Sequence, residues 1–299
     1  MELLSRFEPP GFAPAGPDAG VTRRYLVLDV FTDTPLQGNQ LAVFLDGRGL
    51  GEQLMQRLAR ELNLSETVFF LPARGEGDLR IRIFTPASEL PFAGHPVLGS
   101  AIVAASALER DSIVLETPLA PVQVSVQPHS GRATFGRMAQ PIPAFGPFDA
   151  ERELLAALGL ERSWLPVEVY DNGPRHVYVA LESEEAVTAL RPDLRALAEL
   201  GGIDANCFAG AGTSWRTRMF APALGVPEDP ATGSAAGPLA VHLARHGRIA
   251  FGQEVEIRQG AEVGRPSLLY ARAEGAGDAI TRVEVAGAAV ILAGGEILL

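Results

Sequence analysis

Glu66, His95 and Asp229 are the residues placed to do acid–base chemistry. Glu66 lies in "LNLSETVFFLP" (62–72), after Leu62 and Leu64 end an amphipathic pattern. Val68, Phe69, Phe70 and Leu71 then read as a strand entering a core. A lone carboxylate at such a handover is usually a solvated turn; beside other polar groups it becomes a candidate proton carrier. His95 and Asp229 each precede a proline in two related stretches, "HPVLGSA" and "DPATGSA". Proline is favoured in the first helical turn, where its missing N–H has no partner anyway. His95 and Asp229 are therefore expected at helix N-caps. Asp is a good cap and His is not, so His95 calls for another reason. Two helix starts facing one another would offer free N–H groups and partial positive charge. Each is worth about 0.3–1 kcal/mol to an anion, and up to ~2 kcal/mol when partly buried. Thr232, Gly233 and Ser234 supply further donors, and glycine lets a ligand approach the backbone closely. The pattern predicts a carboxylate pocket flanked by a histidine and an aspartate.

The elements that must position these residues repeat. In the first half "RYLVLDVFT", "NQLAVFLDG", "TVFFLP", "LRIRIFTP", "SIVLETP" and "PVQVSVQ" read as strands. Leu54, Leu58 and Leu62 mark a helix over 51–62, and 96–108 reads as a nearly all-apolar helix, a composition that requires surrounding sheet. In the second half Asp149 is expected to cap a helix that Gly159 closes. "HVYVALE", "PDLRALAEL", "TSWRTRMFAP" and the helix "PATGSAAGPLAVHLARHG" follow, then strands to the end. "FTPASELPFAGHPVLGSA" matches "FAPALGVPEDPATGSA", and Leu58, Ala59, Leu64 and Phe69 pair with Leu197, Ala198, Ile203 and Phe208. The expected fold is α+β: two homologous lobes, each a curved, barrel-like mixed sheet around a central apolar helix, with a ligand cleft between them. On this pairing the counterpart of Glu66 is Ala205, so the acid stands in one lobe only.

The 299 residues suit one large or two medium domains, and 47% are hydrophobic, enough for sizeable cores. A net charge of −11 without Lys/Arg clusters argues against nucleic acid and anionic membranes as partners. The single cysteine, Cys207, rules out a disulfide framework within the chain and leans toward a reducing compartment. No apolar run reaches the roughly 18 residues of a membrane span. The first residues lack the apolar core of a secretory signal and read as a loose extension over 1–22. The expected location is the cytoplasm.

Taken together, "GNQLAVF", "LSETVFF", "FTPASELPFAGHP", "GPRHVYV", "GVPEDPATGSA" and "QGAEVGRPS" resemble the PhzF-like phenazine-biosynthesis family, which has the diaminopimelate epimerase fold. The resemblance runs from about Tyr25 to the C-terminus. It implies a cofactor-independent isomerase that moves a proton between carbons of a small unsaturated amino- or hydroxy-carboxylate. Matched motif by motif, the acid/base glutamate falls on Glu66, and the substrate contacts fall on His95, Asp229 and Ser234. Asn39 and Gly94 also line the implied pocket. The chain departs from the common "GHPTLG" pattern at Val97, which removes a hydroxyl. The resemblance implies a chain that crosses back at its end: a first lobe of 23–138 plus 287–299 and a second of 139–286. Segment 139–148 is the expected hinge, and a homodimer is left open.

Other chemistries are disfavoured. Epimerases of this fold use one cysteine from each lobe, and this chain has one in all. "HLARH" spaces His242 and His246 by four but lacks the Glu of zinc proteases, so a solvated or half-buried pair is expected and no metal is assigned. His129 reads as exposed, and His176 as core or cleft. No hydrolase elbow, dinucleotide fingerprint or P-loop is present, so no cofactor is assigned. The alternative of another class is a non-catalytic carboxylate-binding or regulatory protein using the same cleft.

Overall fold

The computed structural model describes residues 22–299, so the extension expected over 1–22 lies, except for Thr22, outside the described residues. The first half runs β1 (Thr22–Val30), β2 (Asn39–Phe44), α1 (Glu52–Leu62), β3 (Glu66–Leu71), β4 (Leu79–Phe84) and β5 (Glu89–Leu90). It continues through α2 (Gly94–Leu108), β6 (Ser112–Glu116), β7 (Pro121–Pro128) and β8 (Thr134–Ala139). The second half holds β9 (Ala144–Pro147), α3 (Glu151–Leu158), β10 (Glu168–Asp171), β11 (Arg175–Ala180), α4 (Glu184–Ala189), α5 (Leu194–Glu199) and β12 (Asp204–Ala211). It ends with β13 (Ser214–Ala221), β14 (Val226–Asp229), α6 (Gly233–Arg245), β15 (Val255–Gln259), β16 (Ser267–Ala276) and the long β17 (Ala279–Leu298).

In the first lobe strands pair in the order β1, β2, β3, β4, β6, β7, β8, β17, and β17 returns to β1. The ring is closed, which removes sheet edges. In the second lobe the order is β10, β11, β12, β13, β15, β16, β17. There the chain leaving β8 runs on as β9 and pairs with β10. β17 thus pairs with strands of both lobes.

Every residue of α2 from Gly94 to Ala105 is buried, as is every residue of α6 from Gly233 to Ala244. An all-apolar helix has no solvent face, so the sheet has to wrap it. Val97, Leu98 and Ile102 of α2 and Leu239, Val241 and Leu243 of α6 join one core cluster. α1 packs outside the first ring on Phe44, Phe69 and Phe84, with Phe44 and Phe69 stacked at 4.7 Å. α3, α4 and α5 cover the second-lobe sheet through Leu154, Val187 and Leu197.

Some local expectations shift. α3 has Ala150 at its N-cap, and Asp149 makes no cap there; Gly159 closes it with φ 70°. In the expected hinge, residues 144–147 form β9, and the buried Gln140 donates from its backbone to Val283 and from its side chain to the Gly233 carbonyl. No helix among the described residues is long and apolar enough to cross a membrane.

Candidate active site

Period-two alternation decides which way Glu66 points. On β3, Val68 and Phe70 face the helix-filled interior and Phe69 faces α1. Glu66 shares the parity of Val68 and Phe70, so it opens the inward series at the mouth of the ring. His95 lies in the first turn of α2, and its Nε2 is 2.8 Å from Glu66 Oε2. Burial opposes charge on this imidazole, but Glu66, Asp229 and the Gln40 backbone carbonyl together raise its pKa.

Asn39 opens β2 and spans both lobes. Its Nδ2 donates to Asp229 Oδ1 at 3.0 Å and to the Ala231 carbonyl at 2.9 Å, while His95 Nδ1 lies farther away, at 3.3 Å. Two N–H bonds are thereby used, and Asn39 Oδ1 is a buried acceptor with no partner among the described residues. Asp229 Oδ2 accepts from the Thr232 hydroxyl at 2.6 Å. Gln259 Nε2 donates to the Asp229 carbonyl and to Thr232 Oγ1. The Thr232 hydroxyl therefore orients Asp229. Burial pushes the Asp229 carboxyl up, His95 opposes this, and Glu66 adds to it.

His95 and Asp229 are not N-caps. Ala93 and Thr232 hold those positions, with no side-chain cap at either. Asp229 ends β14 and stands opposite Met219, as Leu90 of β5 stands opposite Ile83. Residues 91–93 and 230–232 then lead to the two helices. Gly94 thus corresponds to Gly233, and His95 to Ser234. The shared "GSA" lies at different depths in the two helices, so its match does not mark structural equivalence.

These equivalent starts meet. A Cβ on Gly94 would lie 2.5 Å from the Gly233 carbonyl carbon and would also strike the Ser234 backbone nitrogen. A Cβ on Gly233 would lie 2.8 Å from the Phe31 ring and 3.1 Å from the His95 nitrogen. Only glycine permits this approach. The early N–H groups of Gly94, His95, Gly233 and Ser234 have no intrahelical acceptors. Two positive helix ends pressed together repel unless an anion lies between them.

The structure adds residues that the motifs did not mark. Pro238 sits inside α6 and cannot donate to the Ser234 carbonyl. Asn172 Nδ2 fills that vacancy at 2.9 Å, tying the β10–β11 turn to the helix start. The signal was an internal proline, but nothing in the sequence named its partner. Asp204 and His176 lie on neighbouring strands, 3.1 Å apart and buried.

The counterpart of Glu66 changes as well. Thr67 pairs with Phe84 across β3–β4, and Ala205 pairs with Phe220 across β12–β13. Since Phe84 matches Phe220, Ala205 corresponds to Thr67 and Asp204 to Glu66. Thr67 follows Leu58 by nine residues and Ala205 follows Leu197 by eight, so pairing carried forward from Leu58 and Leu197 slips by one.

The remaining histidines lie outside this cluster. His242 is wholly buried, against the expected solvated or half-buried pair. It and His246 converge on Glu168, whose Oε2 also accepts from Arg245 Nη1 at 2.7 Å and Tyr170 at 2.9 Å. The guanidinium already supplies the cation there. His129 is exposed. Burial pushes the Cys207 thiol up to about 12, which keeps it protonated and unable to accept a proton.

Residues 28–295 match the family model described as phenazine biosynthesis-like protein. Over 273 residues the chain is 55% identical to a trans-2,3-dihydro-3-hydroxyanthranilate isomerase of Pseudomonas aeruginosa, covering 91% of this chain and 98% of that protein. A predicted epimerase from Pseudomonas aeruginosa has a similar solved structure, with TM-score 0.79, 34% identity and coverage of 93% and 99%. A PhzF-family phenazine biosynthesis protein from Bacillus anthracis superposes with TM-score 0.81 at 24% identity, covering 93% and 100%, a likeness of fold.

Proposed function

The chain belongs to the PhzC-PhzF phenazine biosynthesis-like family, and on that premise we propose that it isomerises trans-2,3-dihydro-3-hydroxyanthranilate by moving one proton between ring carbons, with Glu66 as acid and base. The observation that carries this reading is the convergence of Glu66, His95 and Asp229 where two uncapped helix starts meet.

The compound's name describes its chemistry. A carboxylate stands on C1, an amine on C2 and a hydroxyl on C3. The remaining C4=C5 and C6=C1 bonds form a diene conjugated with the carboxylate. Removing the C3 hydrogen lets charge spread through the diene to C1. Returning a proton at C1 gives an isomer of the same composition, so no step calls on a cofactor. C1 and C3 lie on one small ring, so a single carboxylate can serve both.

In this reading the free N–H groups of Gly94, His95, Gly233 and Ser234 hold the substrate carboxylate. Asn39 Oδ1 and Asp229 accept from the amine and hydroxyl. Glu66 takes the C3 proton and returns it at C1, while His95, 2.8 Å away, steadies Glu66 whenever it is ionised. Positioned acid–base catalysis of this kind contributes roughly 10²–10⁴-fold.

Incubation of the protein with this compound in deuterated water, followed by NMR, tests the reading. Loss of the C3 hydrogen with new hydrogen or deuterium at C1 is expected. Recovery of the compound unchanged, with no exchange at any carbon, would leave a binding protein instead.

A further inference from the structure

Asp204 and His176 form a buried acid–base pair that the scheme above does not use. Asp204 is 5% exposed and His176 is wholly enclosed. Asn206 bears on where the proton between them resides. Its Nδ2 donates to the Asp204 backbone carbonyl at 2.8 Å, and a carbonyl can only accept, so the amide orientation is set. The second N–H on that nitrogen faces His176 Nδ1 at 3.4 Å. An amide N–H beside Nδ1 favours a ring hydrogen on Nε2. Asp204 Oδ2 lies 3.1 Å from Nδ1, where an ionised carboxylate would set lone pair against lone pair and a proton on the carboxyl relieves it. His176 Nε2 has no partner among the described residues.

Strand register gives this pair its meaning, because Asp204 opens β12 as Glu66 opens β3. Asp204 has the parity of Phe208, which faces the core around α6. We infer that Asp204 and His176 are positioning residues, the second-lobe half of the acid–base site, where a carboxyl keeps its proton so that the cleft can accept an anionic substrate. This inference rests on the proton-transfer reading.

The charges around Asp204 support the assignment. Its titratable surroundings are His176 and Tyr178 on β11, Asp229 on β14 and Glu66 on β3. Burial first, then the charges of Asp229 and Glu66, push its carboxyl up to about 7. Burial alone pushes His176 down to about 3, so the ring does not take the proton. Glu66 and Asp229 already share one imidazole, His95, whose pKa both raise. Ionising Asp204 would add a further negative charge where a carboxylate has to bind.

Two measurements on the full chain test this. The first is the carboxyl carbon-13 shift of Asp204 against pH, which needs no substrate. A midpoint near 7 is expected, against about 4 for an ordinary aspartate. The second is the pH profile of kcat/KM. For the wild type it should fall about tenfold per pH unit above that midpoint, and Asp204→Asn should lack that fall. A midpoint near 4, or the same alkaline fall in both proteins, overturns the inference. A midpoint near 7 without isomerisation supports the protonated pair and overturns only the reaction assigned to the cleft.

Discussion

His95 Nε2 lies 2.8 Å from Glu66 Oε2, an ion pair joining the start of α2 to the start of β3. Burial opposes charge on the imidazole, and Glu66 first, then Asp229, raise its pKa against it. Glu66→Gln keeps the shape and removes the proton carrier. Isomerisation should drop by at least about 10²-fold while the unfolding transition is retained. Near-normal turnover would remove Glu66 from the proposed mechanism.

Gly94 and Gly233 touch backbone to backbone. Gly94→Ala forces a methyl group into atoms that cannot swing aside. Overpacking of this kind costs about 1–3 kcal/mol. If the strain falls on the site geometry, kcat/KM should drop on the order of tenfold or more. Gly146→Ala serves as the control, since an added Cβ there meets nothing within 4 Å. Equal melting temperatures and rates for the two variants would contradict the contact.

Glu168 links β10 to α6 and should set the acid limit of stability. Burial opposes its charge, yet bonds from His242, His246, Arg245 and Tyr170 hold its carboxyl well below the usual range. A carboxylate with a depressed pKa contributes stability that is present above its unfolded value of about 4.3 and is lost as the pH falls toward the folded value. Glu168→Gln should destabilise by about 1–3 kcal/mol at neutral pH, since it removes the shared acceptor of Arg245, Tyr170 and the two imidazoles while Arg245 keeps Asp278. Denaturant unfolding should show that gap narrowing steadily below about pH 4. A gap independent of pH would assign the effect to packing.

β17, which pairs with strands of both lobes, predicts that the halves do not fold apart. A fragment ending at Pro141 keeps β1 and β8 but loses β17, which pairs with both. Two bare sheet edges would remain, and such edges invite aggregation. Expression should give insoluble or non-cooperative material. A soluble fragment with a single sharp unfolding transition would show the first lobe to be self-sufficient.

Much of this protein was legible in its residues. The unbroken apolar run behind His95 required a helix inside a sheet, and the alternation of Val68, Phe69 and Phe70 required a strand with two covered faces. Glu66 and His95 could be named because polar groups at such junctions stand out against that pattern. Which residues correspond between the lobes could not be read there. Small residues recur wherever helices pack closely, so the two "GSA" stretches matched without being equivalent. A spacing one residue shorter from Leu197 to Ala205 than from Leu58 to Thr67 hid the correspondence of Asp204 with Glu66. A strand's faces alternate with every residue, so a slip of one exchanges a cleft carboxyl for a packed alanine. Only the hydrogen-bond register between strands resolves that choice, and register is set by contacts between segments that are far apart in the chain.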